Sequence, residues 1–256
     1  MAVLTCDFFS DVLEMGTSMT VILPQDTSAQ IGGRGVATGE PFPVLYLLHG
    51  LSDDHTVWLR RTSIERYVEP LGLAVVMPQV HRSFYADEVH GHRYWTHLSE
   101  ELPRVVGSLF RVSDRREDRF VAGLSMGGYG AFKWALRHPD RFAAAASLSG
   151  ALDVVGLSRS PERKDLFRRV FDGTPGPGDD LFALLSDVPP DRLPALWVGC
   201  GGDDPLLDSS HRFVEAARAA GAEPRTRFEP GEHEWGLWDA AIQDVLAWLP
   251  LRSPTG

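Results

Sequence analysis

Arg119-Phe120-Val121-Ala122-Gly123-Leu124-Ser125-Met126-Gly127 is the stretch whose reading decides the fold. A short apolar run leads into it, and a glycine-rich segment that opens a helix leads out. Glycines at 123 and 127 let the chain turn sharply from strand to helix, where side chains would collide with the neighbouring element. Ser125 is left exposed at the crest. Its hydroxyl lies at the start of the following helix, where unpaired N–H groups and the helix dipole favour developing negative charge. The pentapeptide also occurs as an ordinary turn with a capping serine, so its setting decides. Tyr129, Phe132, Ala135 and Leu136 follow helical spacing up to His138-Pro139, where proline ends the element. Strand, turn and helix in that order mark Ser125 as a nucleophile for acyl transfer.

Outward from this turn, strands and helices alternate. Val44–Leu48, Leu73–Met77, Phe120–Ala122, Ala143–Leu148 and Ala195–Gly199 are short apolar runs of the kind a parallel sheet buries on both faces. Helical patterns separate them. Leu98, Leu102, Val105, Val106 and Leu109 mark one, which Pro103 is expected to kink or interrupt. Trp235, Trp238, Ile242, Val245, Leu246 and Leu249 stripe the last. Val3–Phe8 and Met19–Leu23 read as an antiparallel pair at one sheet edge. The predicted class is α/β, a mostly parallel sheet with helices on both faces and an antiparallel N-terminal edge. One domain over residues 1–256 is expected. An insertion at 151–193 either covers the pocket or lies on the far side.

Composition bounds the function. The chain has 256 residues, with a hydrophobic fraction of 43% and a formal net charge of -10. An acidic chain without concentrated positive charge argues against a nucleic-acid partner. No segment is long and apolar enough to span a membrane. Met1 to Pro24 carries Asp7, Asp11 and Glu14 and does not read as a signal peptide. Cys6 and Cys200 are too few for a disulfide framework, and a cytoplasmic, reduced protein is expected. A homo-oligomer stays open. Gly33-x-Gly35, in the loop Gln25 to Pro41, lacks a following helix and is a poor phosphate-binding candidate.

A serine hydroxyl needs a neutral histidine to take its proton, with a carboxylate on that histidine's other nitrogen. In this fold the order is serine, acid, histidine. Cys200-Gly201-Gly202-Asp203-Asp204-Pro205-Leu206 places carboxylates where a strand ends, and Gly231-Glu232-His233-Glu234-Trp235 places a histidine before the final helix. His233 is the candidate base. Asp204 is the candidate acid, with Asp203 second; Asp208 reads as an N-cap or first-turn residue of Ser209–Ala220. The oxyanion needs two preorganised donors, read here as the backbone N–H groups of Met126 and Leu51. His49, Gly50, Tyr94, Trp95 and Trp235 are candidate pocket residues, with His49 also able to orient the oxyanion loop.

With these residues placed, the chain resembles the esterase D/putative esterase family of α/β-hydrolases, especially tributyrin esterase-like members, with S-formylglutathione hydrolases as relatives. The motifs that carry it are Leu47-Leu48-His49-Gly50-Leu51, His55-Thr56-Val57-Trp58-Leu59, Ser83-Phe84-Tyr85 through Glu100-Glu101-Leu102-Pro103, Gly123-Leu124-Ser125-Met126-Gly127-Gly128-Tyr129, and Gly231-Glu232-His233-Glu234-Trp235. Its acid-Asp-x-Leu pattern falls on Asp203-Asp204-Pro205-Leu206 and implies Asp204 as the acid, although Pro205 stands where an aromatic residue is expected. The resemblance implies hydrolysis of a carboxylic ester or thioester, with a small-molecule substrate and no cofactor.

The expected activity is a serine carboxylesterase acting on small, short-acyl esters. S-formylglutathione hydrolysis is the alternative, followed by acyl transfer to an alcohol and, from another class, a non-catalytic binding protein on a hydrolase scaffold. His81, His90, His92 and His97 with Asp87 and Glu88 invite a metal reading, but their spacing fits no established zinc motif, and no metal is expected.

Overall fold

The computed structural model describes residues 1–27, 29 and 39–252. Most of the loop read at Gln25–Pro41, including Gly33-x-Gly35, lies outside the described residues.

Eight strands form one sheet: β1 (Ala2–Ser10), β2 (Met15–Leu23), β3 (Val44–Leu48), β4 (Ala74–Pro78), β5 (Arg119–Leu124), β6 (Ala144–Leu148), β7 (Ala195–Gly201) and β8 (Arg225–Glu229). Their order is β1-β2-β4-β3-β5-β6-β7-β8. β1 pairs antiparallel with β2 and β2 antiparallel with β4; every pairing from β4 to β8 is parallel. This is the expected α/β-hydrolase-type sheet with its antiparallel N-terminal edge.

Strand periodicity divides the core in two. Val44, Tyr46, Leu48 and Val121 point to one face, where Phe132 and Ala135 of the helix Met126–Arg137 pack with Phe213 of the helix Leu207–Ala219. Leu45, Leu47, Phe120 and Ala122 point to the other, against Trp58, Trp238, Ile242 and Val245. Alternate residues of each central strand therefore meet different helices. This is why these strands read as unbroken apolar runs.

The expected break at Pro103 takes another form. His97–Glu101 is one wide π-helical turn, and Pro103 sits in the first turn of the helix Leu102–Leu109, where its missing N–H is not needed. The chain changes helical pitch before the proline and stays helical through it.

The buried Nδ1 of His97 meets the Glu101 carboxylate at 2.7 Å, and Ser10 hydrogen-bonds both residues. Glu101 also accepts from the Asp11 and Val12 N–H groups. This cluster fastens the β1–β2 turn to the sheet's flank. Among the described residues, no helix is long and apolar enough to cross a membrane.

Candidate active site

β3 is flanked by β4 and β5, and its outgoing chain and that of β5 feed helices on opposite faces of the sheet, which opens a crevice at the strands' carboxyl ends. Register aligns those ends: Leu48 with Gly123, Leu124 with Leu148, and Leu148 with Gly199. The loops starting at His49, Ser125, Ser149 and Gly202 consequently converge.

Ser125 has φ 53° and ψ -118°, a conformation that side chains rarely adopt. Three backbone bonds hold it there. Its N–H donates to the Leu148 carbonyl at 2.9 Å, and its carbonyl accepts from Ala151 at 3.0 Å and Tyr129 at 3.2 Å. The flanking glycines have a steric reason. A Cβ at Gly123 would lie 2.4 Å from the Gly127 backbone, and one at Gly127 would lie 2.4 Å from the Leu48 carbonyl oxygen. Without side chains, the start of the helix Met126–Arg137 can press against β3 and the loop His49–Leu51.

That approach brings the Leu51 and Met126 loops together. Neither amide has an acceptor among the described residues, so both N–H groups stay available to an oxyanion. His49 stands behind the loop. Its Nε2 accepts the Val80 N–H at 3.2 Å, so the proton is on Nδ1, which donates to the Gly50 carbonyl at 2.7 Å. Burial pulls its pKa down to about 4, which keeps the ring neutral. Tyr85 adds a second tie, its hydroxyl donating to the His49 carbonyl at 2.8 Å.

The acid loop and the histidine loop are joined through their backbones. Gly202 N–H donates to Glu229 at 2.7 Å and Asp203 N–H to Gly231 at 3.0 Å. Asp203 points outward. Asp204 is buried, with one carboxylate oxygen accepting the Leu206 N–H and the other 2.8 Å from His233 Nδ1. Burial pushes the Asp204 carboxyl upward, but hydrogen bonds from His233, Leu206 and Ser149 outweigh it and hold the group below its ordinary value. A carboxylate on Nδ1 leaves Nε2 as the proton acceptor. No hydrogen bond links Ser125 to His233 directly, although both line the same two cavities. Such bonds are often long in unliganded enzymes and tighten in the substrate complex.

Trp238 and Ser149 complete the support, and sequence reasoning gave neither a site role. The Trp238 ring meets His233 at 4.8 Å in an edge-on arrangement, and its Nε1–H donates to Ser149 Oγ at 3.1 Å. Trp238 was legible as part of the core stripe. Ser149, with φ 47°, carried no motif at all.

Two cavities meet at Ser125 and His233. One, of about 330 Å³, is mainly apolar, with Leu51, Phe84, Met126, Leu157, Pro205 and Leu206 in its walls. The other, of about 380 Å³, is bounded by Gly50, Ser52, Asp53, Trp235 and Trp238. Ala151, Leu157, Ser160, Glu162 and Arg163, from the first part of the 151–193 stretch, line the apolar cavity.

Three of the expected pocket residues lie elsewhere. Tyr94 lines a separate groove with His81, His90 and His92. Trp95 is buried against Lys133, Arg137 and His138. His49 is walled off behind Gly50. Aromatic residues near a histidine run looked like a pocket mouth, but the run folds onto the helix Lys164–Phe171, where His90 N–H bonds the Arg169 carbonyl. Among the described residues, no three histidine, cysteine or acidic side chains are grouped to hold a metal ion.

An elbow serine on a mostly parallel sheet, with a carboxylate-bound histidine beside it and two free amides nearby, defines the α/β-hydrolase class of serine hydrolase. The model of the family described as "Putative esterase" matches residues 10–249, and the chain belongs to that family. It is 28% identical to an acetyl esterase of Caldicellulosiruptor saccharolyticus, over 97% of this chain and 98% of that protein. Among solved structures, it is similar to the Staphylococcus aureus fluorophosphonate-binding serine hydrolase FphF, at 32% identity, TM-score 0.87, and coverage of 97% and 98%. It is also similar to the S-formylglutathione hydrolase FrmB of that organism, at 33% identity, TM-score 0.84, and the same coverage.

Proposed function

We propose that the protein hydrolyses small, short-acyl carboxylic esters through an acyl-Ser125 intermediate. The observation that carries this reading is a strained serine at the strand-to-helix turn sharing its cavities with a histidine whose Nδ1 is held by a buried carboxylate. Ser125 Oγ attacks the ester carbonyl carbon while its proton passes to His233 Nε2. The carbonyl oxygen becomes an oxyanion, taken up by the Leu51 and Met126 N–H groups. Collapse breaks the bond to the leaving oxygen, which receives the proton from His233. Water then repeats the sequence on the acyl-enzyme, releasing the acid and restoring Ser125. Asp204 stays ionised and orients the imidazole.

The apolar walls Leu51, Met126 and Leu157 suit acyl groups of about two to six carbons. The acetyl esterase relative supports that size. A thioester is the second reading, supported by the S-formylglutathione hydrolase likeness. Both free cysteines, Cys6 and Cys200, suit the reducing conditions of a cytoplasm. A chain-length series of nitrophenyl esters run beside S-formylglutathione tests the assignment. A maximum in kcat/KM at short acyl chains supports an esterase, and faster turnover of long chains contradicts the pocket reading. A large preference for S-formylglutathione would move the assignment to the thioesterase.

A further inference from the structure

Arg163 enters the site at the end of the short turn Pro161–Arg163, just before the helix Lys164–Phe171. Its N–H is tied to the Ser160 carbonyl at 3.1 Å, so the side chain projects from an anchored backbone. Half-buried, it lines both cavities that meet at Ser125 and His233. Its guanidinium has no hydrogen-bond, ion-pair or ring partner among the described residues. Other arginines of this molecule are engaged: Arg212 with Asp153 and Asp208, Arg227 with Glu229 and Asp244, Arg169 with Glu88. A guanidinium presents a rigid fork of N–H donors matched to a carboxylate, and its gain is greatest where water is partly excluded. At the junction of two substrate cavities, the missing acceptor is one a substrate can supply.

The neighbouring charges narrow the ligand. Among the described residues, Arg163 is the one arginine or lysine in either wall. Asp53 lines the polar cavity, its carboxylate packed against Gly50 of its own loop. Glu162 is exposed and lines only the apolar cavity. A carboxylate on the acyl chain would reach Arg163 only between apolar walls and beside Glu162, losing more hydration for the same partner. On the other side, Ser52, Trp235 and Trp238 offer a polar and aromatic bed for the departing group.

Resting on the esterase reading, we propose that Arg163 is a specificity-determining residue that binds a carboxylate on the leaving group. The preferred substrates are then esters or thioesters of small acids with anionic alcohols or thiols. The contact is remote from the bond being broken and is made equally in the ground and transition states, so it acts on KM more than on kcat.

Three esters separate the possibilities: nitrophenyl acetate, carboxynitrophenyl acetate with the charge on the leaving group, and nitrophenyl hemiglutarate with the charge on the acyl group. Each is assayed with wild type, Arg163→Gln, Arg163→Lys and Arg163→Glu. The readout is the ratio of kcat/KM for each charged ester to that for nitrophenyl acetate. The ratio is taken within one preparation, so a loss of folded protein cancels. For carboxynitrophenyl acetate we expect it to fall about tenfold in Arg163→Gln, the scale of one charged hydrogen bond, with the change in KM. It should fall further in Arg163→Glu and recover in large part in Arg163→Lys. An unchanged ratio overturns the proposal, as does an equal or larger fall for nitrophenyl hemiglutarate. Wild-type enzyme inert toward all three esters would instead defeat the esterase reading, and this inference with it.

Discussion

Asp204 is a carboxylate that burial alone would push toward protonation, and its three hydrogen-bond donors keep it ionised. Asp203, its neighbour in sequence, points to solvent, and Asp208 lies in the first turn of the helix Leu207–Ala219, paired with Arg212. Asp204→Asn is therefore expected to lower kcat by about 10⁴-fold, through loss of the correct His233 tautomer. Asp203→Asn and Asp208→Asn should remain within about threefold of wild type, because surface changes rarely cost more than ~0.5 kcal/mol. Steady-state kinetics on the three folded variants checks this, and a larger fall for Asp203→Asn would shift the acid by one residue. Ser149 belongs to the same scale. Ser149→Ala removes one donor from the buried Asp204 and leaves Trp238 Nε1–H without its acceptor, so kcat/KM should drop by about tenfold. A variant indistinguishable from wild type would show that Ser149 does not tune the acid.

At the scale of elements, the same mutation has opposite signs at two helical glycines. Gly127 opens the helix Met126–Arg137 where a Cβ would meet the Leu48 backbone at 2.4 Å, while Gly107 lies on the exposed side of Leu102–Leu109, where a Cβ would have nothing within 4 Å. Gly127→Ala should cost about 3 kcal/mol or more by overpacking, and Gly107→Ala should add up to ~1 kcal/mol by helix propensity. Urea unfolding of the two variants decides; equal shifts would contradict the close approach of helix and strand. Elements were legible where one rule governs them. Apolar runs gave the central strands, because parallel strands are buried on both faces. The wide turn His97–Glu101 was not legible, since Pro103 marks an irregularity without saying whether the chain bends or changes pitch. Tyr94 and Trp95 misled for a related reason. Aromatic residues serve core and pocket equally, and only the packing of that segment on Lys164–Phe171 and Met126–Arg137 separates the two.

For the whole molecule, several histidines are folded in as neutral groups. His49 is the clearest, with a pKa drawn by burial from 6.5 to about 4, and burial also lowers His55, His97 and His138. Between pH 4 and 6.5 the unfolded chain binds a proton at His49 that the folded chain refuses, so stability rises with pH across this window. His49 alone accounts for about 3 kcal/mol, lost as the pH falls from 6.5 to 4. Asp204 and Glu101, both held low, contribute stability above the ordinary carboxylate range and lose it as pH falls further. The urea midpoint should therefore be clearly lower at pH 4.5 than at pH 7.5, on the order of the His49 effect; a midpoint that is unchanged or higher in acid would contradict the neutral histidine behind the oxyanion loop. The serine turn, the acid turn and the histidine loop could be read from sequence because each needs particular residues at fixed spacing. Arg163 and Ser149 could not, because their meaning comes from what the rest of the chain brings next to them. The most direct test of the account is intact-mass measurement after treatment with a fluorophosphonate, on wild type and on Ser125→Ala. One phosphonyl adduct per chain, mapped to the peptide containing Ser125 and absent from the variant, is the predicted result. Undiminished labelling of Ser125→Ala, or an unlabelled wild type that still hydrolyses esters, would contradict nucleophilic catalysis by Ser125.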